Sequence, residues 1–334
     1  MTGSLTAQEE PAAPRPVVSV LMLTFNHERF LAQAIDSALG QRTAVPIEIV
    51  IGADQSPDHT QEIAREFGAR YPSRVRALAA QSRLGMHENF KRTLFACRGR
   101  YIAILEGDDF WTDPAKLQTQ VNVMERDPAC TLCFHTTTKV WEDGSHKPTE
   151  VRPPAVRETY AAEDLIRENI IMTPSVMFRA NLWTSLPPFM DTIGMIDWPL
   201  HILNASFGYA RFIDAVMATY RVHGGGIWSG RDYVTCVREA IVMFAALDEC
   251  LGFRYHNAFT AARRDYLARL SHYLVNTALQ RTSGLAALSD VRAALRTLPH
   301  ELHANPVFEA LTIARLVRAS ATGGRPRAKL RQKD

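Results

Sequence analysis

Tyr101-Ile102-Ala103-Ile104-Leu105-Glu106-Gly107-Asp108-Asp109-Phe110-Trp111 joins a short apolar run to a cluster of carboxylates. Tyr101 to Leu105 has the length and composition of a buried strand, so the acidic residues emerge at its carboxyl end. In open α/β sheets, ligands gather at that edge. Adjacent carboxylates repel one another and lose hydration there, which is unfavourable unless a cation joins them. Hard oxygen ligands suit Mg²⁺ or Mn²⁺, ions that complete their shell with water and a phosphate-bearing substrate. A plain acidic loop is the alternative reading of the same residues.

Working outward, the residues before this stretch alternate between strand and helix patterns. Val17 to Leu23 and Ile47 to Ile51 are apolar runs fit for strands buried on both faces. Phe30, Leu31, Ala34, Ile35, Ala38 and Leu39 recur at helical spacing, and Gly40 follows as a stop. His59 to Arg70 reads as a second helix, Arg74 to Ala80 as a third strand, and Met86, Phe90, Leu94 and Cys97 mark a third helix. Such alternation predicts a mainly parallel sheet with right-handed crossovers. The turn after the first strand holds Thr24-Phe25-Asn26-His27 in place of a Gly-x-Gly-x-x-Gly fingerprint, which argues against a nicotinamide dehydrogenase.

Beyond Thr112 the pattern loosens into mixed strands and loops up to Tyr220. Val234 to Leu274, Leu285 to Leu298 and Pro306 to Ala319 read as helical. The expected organisation is a polar leader over 1–16, a main domain over 17–230, a helical region over 231–319 and a basic flexible tail over 320–334.

The 334 residues carry a net charge of +3, too little to argue for nucleic acid. No stretch approaches the roughly 18 to 20 apolar residues that span a bilayer. Five cysteines favour a reduced, cytoplasmic setting. Cys130 and Cys133 lie in a strand-like segment with no second pair, so buried structural thiols are expected. Seven Lys and Arg between Arg315 and Lys333 read either as a solvated end or as a peripheral contact with the inner, anionic face of a membrane. The C-terminal helices could also provide a surface for homo-oligomers.

Taken in order, Val18-Ser19-Val20-Leu21-Met22-Leu23-Thr24-Phe25-Asn26-His27, Glu48 to Asp54, Arg98 to Asp109, Asp197-Trp198-Pro199-Leu200 and Tyr220-Arg221-Val222-His223 resemble the motifs of family 2 glycosyltransferases. The resemblance implies a GT-A fold (a Rossmann-like sheet flanked by helices) with a C-terminal helical appendage. It implies an inverting, Mg²⁺- or Mn²⁺-dependent transfer of sugar from a UDP, GDP or dTDP donor. The acceptor would be a sugar, lipid-linked or small-molecule hydroxyl, as in bacterial polysaccharide biosynthesis.

By that resemblance Asp54 meets the nucleotide base, although a turn cap is its alternative role. Thr24, Asn26 and Arg83 flank the nucleotide, and Asp108 contacts the ribose or metal-bound water. Asp109, Asp108 and His223 are the expected metal ligands. Arg221 would face the diphosphate and Trp228 would close a loop over the donor. Trp111 and Trp198 would wall the sugar or acceptor, and Asp197 would be the base that deprotonates the acceptor hydroxyl. Ala53 and Ile196 stand where the family more often has acidic residues. Two rivals follow: a sugar-nucleotide-binding scaffold without catalysis, and a nucleotidyltransferase. The latter lacks its usual glycine- and lysine-rich phosphate loop.

Overall fold

The computed structural model describes residues 15–226 and 231–281, with side chains through 277. The described residues form two compact units. Of the described residues, the first comprises 15–160, Ile170–Leu186 and Leu203–Val222, and the second comprises Ala161–Asn169, Pro187–Ile202, 223–226 and 231–281. The expected leader (through residue 14), Trp228 and everything after Arg281, including the basic tail, lie outside the described residues.

The alternating pattern folds as read: β1 (Val18–Thr24), α1 (Leu31–Leu39), β2 (Ile47–Ala53), α2 (Thr60–Arg70), β3 (Val75–Ala79), α3 (Gly85–Ala96) and β4 (Tyr101–Ile104). Then follow β5 (Phe110–Trp111), α4 (Lys116–Arg126), β6 (Cys130–Trp141), β7 (Thr149–Val151), β8 (Thr159–Tyr160), α5 (Ala162–Arg167), β9 (Met177–Arg179), α6 (Asp197–Ala205), β10 (Tyr209–Val222), α7 (Tyr233–Cys250) and α8 (His256–Arg281). Helix α4 is absent from the pattern reading. Its buried face is Leu117, Gln120, Val121 and Met124, and the polar Gln120 and Lys116 break the apolar stripe that would announce it.

The strands order as β3-β2-β1-β4-β9-β6-β10-β5, with β7 paired to β6 and β8 to β10. Pairings among β3, β2, β1 and β4 are parallel. β9 runs antiparallel to both β4 and β6, so β6 and the parallel β10 point the same way as β1. From β1 the chain steps outward to β2 and β3, then returns to place β4 on the other side of β1. That reversal makes the carboxyl ends of β1 and β4 a topological switch point. The core beneath is continuous: Val18, Val20, Met22, Ile49, Ile51, Tyr101 and Ala103 are essentially inaccessible and pack with Leu31, Ala34, Ile35 and Ala38 of α1. Cys130 and Cys133 are free thiols buried in β6, and burial pushes the Cys130 thiol up to about 11.

In the second unit, the expected single helical stretch is broken between α7 and α8. Gly252 (φ 59°) and Phe253 (φ 61°) are both left-handed, and their N–H groups donate to Glu249 and Asp248 carbonyls. Such a turn closes one helix and redirects the chain into the next. None of the described helices is long and apolar enough to cross a membrane.

Candidate active site

The loop after β4 is pinned from both sides. Gly107 N–H donates to Leu23 O of β1 (2.8 Å), while Phe110 and Trp111 pair antiparallel with Thr219 and Ala218 of β10. Glycine is required at 107 because a Cβ there would lie 2.6 Å from Thr24 Oγ1 and 2.8 Å from Thr24 Cβ. The loop therefore rests directly on the end of β1, and its carboxylates are crowded together. Glu106, Asp108 and Asp109 each offer an oxygen, all within 4.8 Å of one another.

Asp109 is 1% exposed. Its Oδ1 accepts the backbone N–H of Arg221 (2.8 Å), and its buried Oδ2 has no hydrogen-bond partner among the described residues. Burial, then the neighbouring Asp108 and Glu106 charges, hold its carboxyl well above the usual Asp range. A buried carboxylate oxygen with no donor, beside two further acidic groups, fits a hard divalent cation. The residues present thus fit the metal that the sequence suggests.

Beside this cluster stands His27, which sequence spacing does not single out as a ligand. Its Nε2 is 3.6 Å from Asp108 Oδ2. The exit turn from β1 brings it there: Asn26 adopts φ 58°, a conformation asparagine tolerates, and its N–H donates to Ser56 Oγ. His27 N–H donates in turn to Thr60 Oγ1 (2.8 Å). Thr24 Oγ1 is buried beneath Gly107 and has no hydrogen-bond partner among the described residues. Position in the turn after β1 was the available signal for His27, but only folding brings it to residue 108.

Asp54 follows β2 and is 2% exposed. Its Oδ1 accepts the N–H groups of Gln55 and Leu84, and its Oδ2 accepts that of Gly85 (2.9 Å). The carboxylate thus ties the loop before α3 to the end of β2, the capping role among the two readings. Arg83 in that loop lies 3.6 Å above the Phe25 ring and 3.8 Å from Asp54 Oδ2, with its side chain 62% exposed.

Arg221 corrects one expectation. Its guanidinium is buried, bonded to Glu142 Oε1 (3.0 Å), Gln33 Oε1 and the Asp108 carbonyl, and lies over the rings of Phe30 and Phe110. With these partners it secures the acidic loop and has little freedom to meet a diphosphate. His223 directly follows β10 and opens the second unit; its Nδ1 accepts the Gly225 N–H (3.3 Å).

The two tryptophans correct another. Trp111 is 4% exposed, its Nε1 donates to Pro174 O (2.9 Å), and the Lys116 ammonium caps its ring at 4.1 Å. Trp198 donates to Leu165 O and packs edge-on against Phe244 at 5.2 Å. Both rings are core elements with no face open to a sugar, because large aromatics bury most apolar area when enclosed.

Asp197 opens α6 in the second unit and is half-buried. The preceding Gly194 carbonyl accepts a bond from Arg231 Nη1 (3.1 Å), and the same guanidinium pairs with Glu239 of α7 (2.5 Å).

Comparison with known proteins places these features in context. Residues 19–184 match the family described as Glycosyl transferase family 2. An uncharacterized protein of Mycobacterium tuberculosis is 39% identical over 211 residues, which is 63% of this chain and 60% of that protein. The alignment thus spans less than two thirds of that relative's length. Among solved structures, Staphylococcus aureus TarS 1-349 in complex with UDP-GlcNAc superposes with a TM-score of 0.56 at 15% identity, covering 93% of both chains. The mannosyltransferase PcManGT from Pyrobaculum calidifontis, in complex with GDP-Man and Mn²⁺, gives 0.51 at 17% identity, covering 93% of this chain and 88% of that one.

Proposed function

Because this chain belongs to glycosyl transferase family 2 and has the GT-A fold, we propose that it moves a sugar from a nucleoside-diphosphate donor onto an acceptor hydroxyl with inversion. The observation that carries this reading is the convergence of Glu106, Asp108 and Asp109 at the β1/β4 switch point. The unpartnered buried oxygen on Asp109 strengthens it. The donors named for TarS and PcManGT make UDP- and GDP-sugars the first candidates.

Asp109 and Asp108 would hold Mg²⁺ or Mn²⁺, with His223 as a further ligand. A cation held there would neutralise charge building on the departing diphosphate. Thr24, Asn26, Asp54 and Arg83 are assigned to the nucleotide, Asp54 chiefly by shaping the loop that carries Arg83. Asp197 is assigned as the base. A sugar hydroxyl is a weak nucleophile near neutral pH, so a carboxylate must take its proton as oxygen attacks the anomeric carbon.

The test is incubation of the full chain with UDP-GlcNAc, GDP-mannose and dTDP-glucose, each with Mn²⁺ or with EDTA. Release of nucleoside diphosphate only with the metal is the expected result. Pyrophosphate release would point to a nucleotidyltransferase, and tight binding without turnover would point to a scaffold.

A further inference from the structure

His201 on α6 is a buried polar residue that the proposed chemistry leaves unused. It is completely inaccessible, and neither Nδ1 nor Nε2 has a hydrogen-bond partner among the described residues. A neutral imidazole presents one N–H donor and one lone pair, and buried groups of this kind are paired in the large majority of folded proteins. An apolar side chain would fill the same space without the desolvation penalty. Packing alone therefore does not account for a histidine here.

Asp197 and His201 stand four residues apart on one helix, which puts them on the same side one turn from each other. The intervening Trp198 and Leu200 are buried apolar residues. Burial lowers the His201 pKa to about 4, and the Asp197 carboxylate acts in the opposite direction. The ring is thus neutral at working pH. A neutral donor can orient a carboxylate without neutralising it, whereas an imidazolium would weaken it as a base. Near this stretch Arg231 is committed elsewhere, donating to both the Glu239 carboxylate and the Gly194 carbonyl.

We propose that His201 is a positioning residue for Asp197, its ring N–H holding the carboxylate toward the acceptor hydroxyl while the proton is taken. This rests on the assignment of Asp197 as base. Hydrogen bonds of this kind are commonly open in the free enzyme and tighten when substrate binds.

The experiment measures nucleoside-diphosphate release from UDP-GlcNAc and GDP-mannose with Mn²⁺, together with thermal melting, for the wild type, His201→Phe, His201→Gln and Asp197→Asn. In His201→Phe, kcat should fall about tenfold while donor KM stays within about twofold and Tm is equal or higher. His201→Gln, which keeps an N–H donor, should recover much of the lost kcat. Wild-type kcat in His201→Phe overturns the proposal, as does a loss that follows a lowered Tm and is not recovered by Gln. If Asp197→Asn is inactive while His201→Phe is unimpaired, only this inference fails. If Asp197→Asn keeps wild-type kcat, or the wild type turns over neither donor, the underlying assignment fails and this inference with it.

Discussion

Asp109 concentrates an electrostatic conflict in one side chain. The native protein binds its proton more tightly than the unfolded chain does, because burial and two acidic neighbours raise its pKa. Its contribution therefore favours folding in acid and is lost as pH rises above the ordinary aspartate range through the raised native value. Asp109→Asn keeps the shape and removes the charge. Without metal, this variant should be about 1–3 kcal/mol more stable than wild type above that range, with the gain shrinking toward acid pH. The same variant should lose the Mn²⁺-dependent rise in Tm. Denaturant midpoints at several pH values, with and without Mn²⁺, check both outcomes. The carboxylates were legible in the sequence because residue type and position after a strand sufficed. The roles expected for Trp111, Trp198 and Arg221 were not, since type alone does not say whether an aromatic ring or a guanidinium faces a ligand or the interior. Pro174, Leu165 and Glu142, the partners that decide this, are distant in sequence.

Between β4 and β5 the backbone approaches β1 so closely that one methyl group matters. Gly107→Ala should force the loop off Thr24 at a cost of about 1–3 kcal/mol and weaken Mn²⁺ binding, read by denaturant unfolding and metal titration. Helix α4 supplies a second test. Lys116 begins it fully buried, its Nζ bonded to Gln120 Oε1 (2.6 Å), and burial lowers its pKa to about 7. The unfolded chain holds this proton more tightly, so the penalty is fully present below about pH 7 and fades as pH rises toward the ordinary lysine value. Lys116→Met should therefore stabilise the protein by a few kcal/mol at pH 6, at about 1.4 kcal/mol per pKa unit, with a smaller gain at pH 9. A melting series of both proteins at the two pH values decides it. The early strands and helices were legible because buried parallel strands read as apolar runs and their crossovers as amphipathic stripes. Helix α4 escaped because its inward face carries Lys116 and Gln120, whose burial depends on Trp111 and Ser175.

For the whole molecule, a ligand that binds only the folded chain raises its stability by mass action. A sugar nucleotide at about a hundred times its Kd should add about 2.7 kcal/mol, and only when Mn²⁺ is present. A melting screen across UDP-, GDP- and dTDP-sugars with and without the ion measures this and ranks the donors. Linear order conceals how the chain is divided: Ala161–Asn169 and Pro187–Ile202 join the described residues that follow His223, while Ile170–Leu186 returns to the sheet. No local signal marks such interleaving, because it arises from which apolar faces find each other. Hydrophobic periodicity and the ordered acidic motifs were enough to specify an α/β sheet, the strand ends at which ligands collect, and the family. Those properties depend on near neighbours along the chain. The pairing of His27 with Asp108, the enclosure of both tryptophans, the bonding of Arg221 and the burial of His201 were settled by folding alone. Each depends on contacts or burial created by residues far away in sequence, and burial then determines which polar groups keep partners and which are left for a ligand.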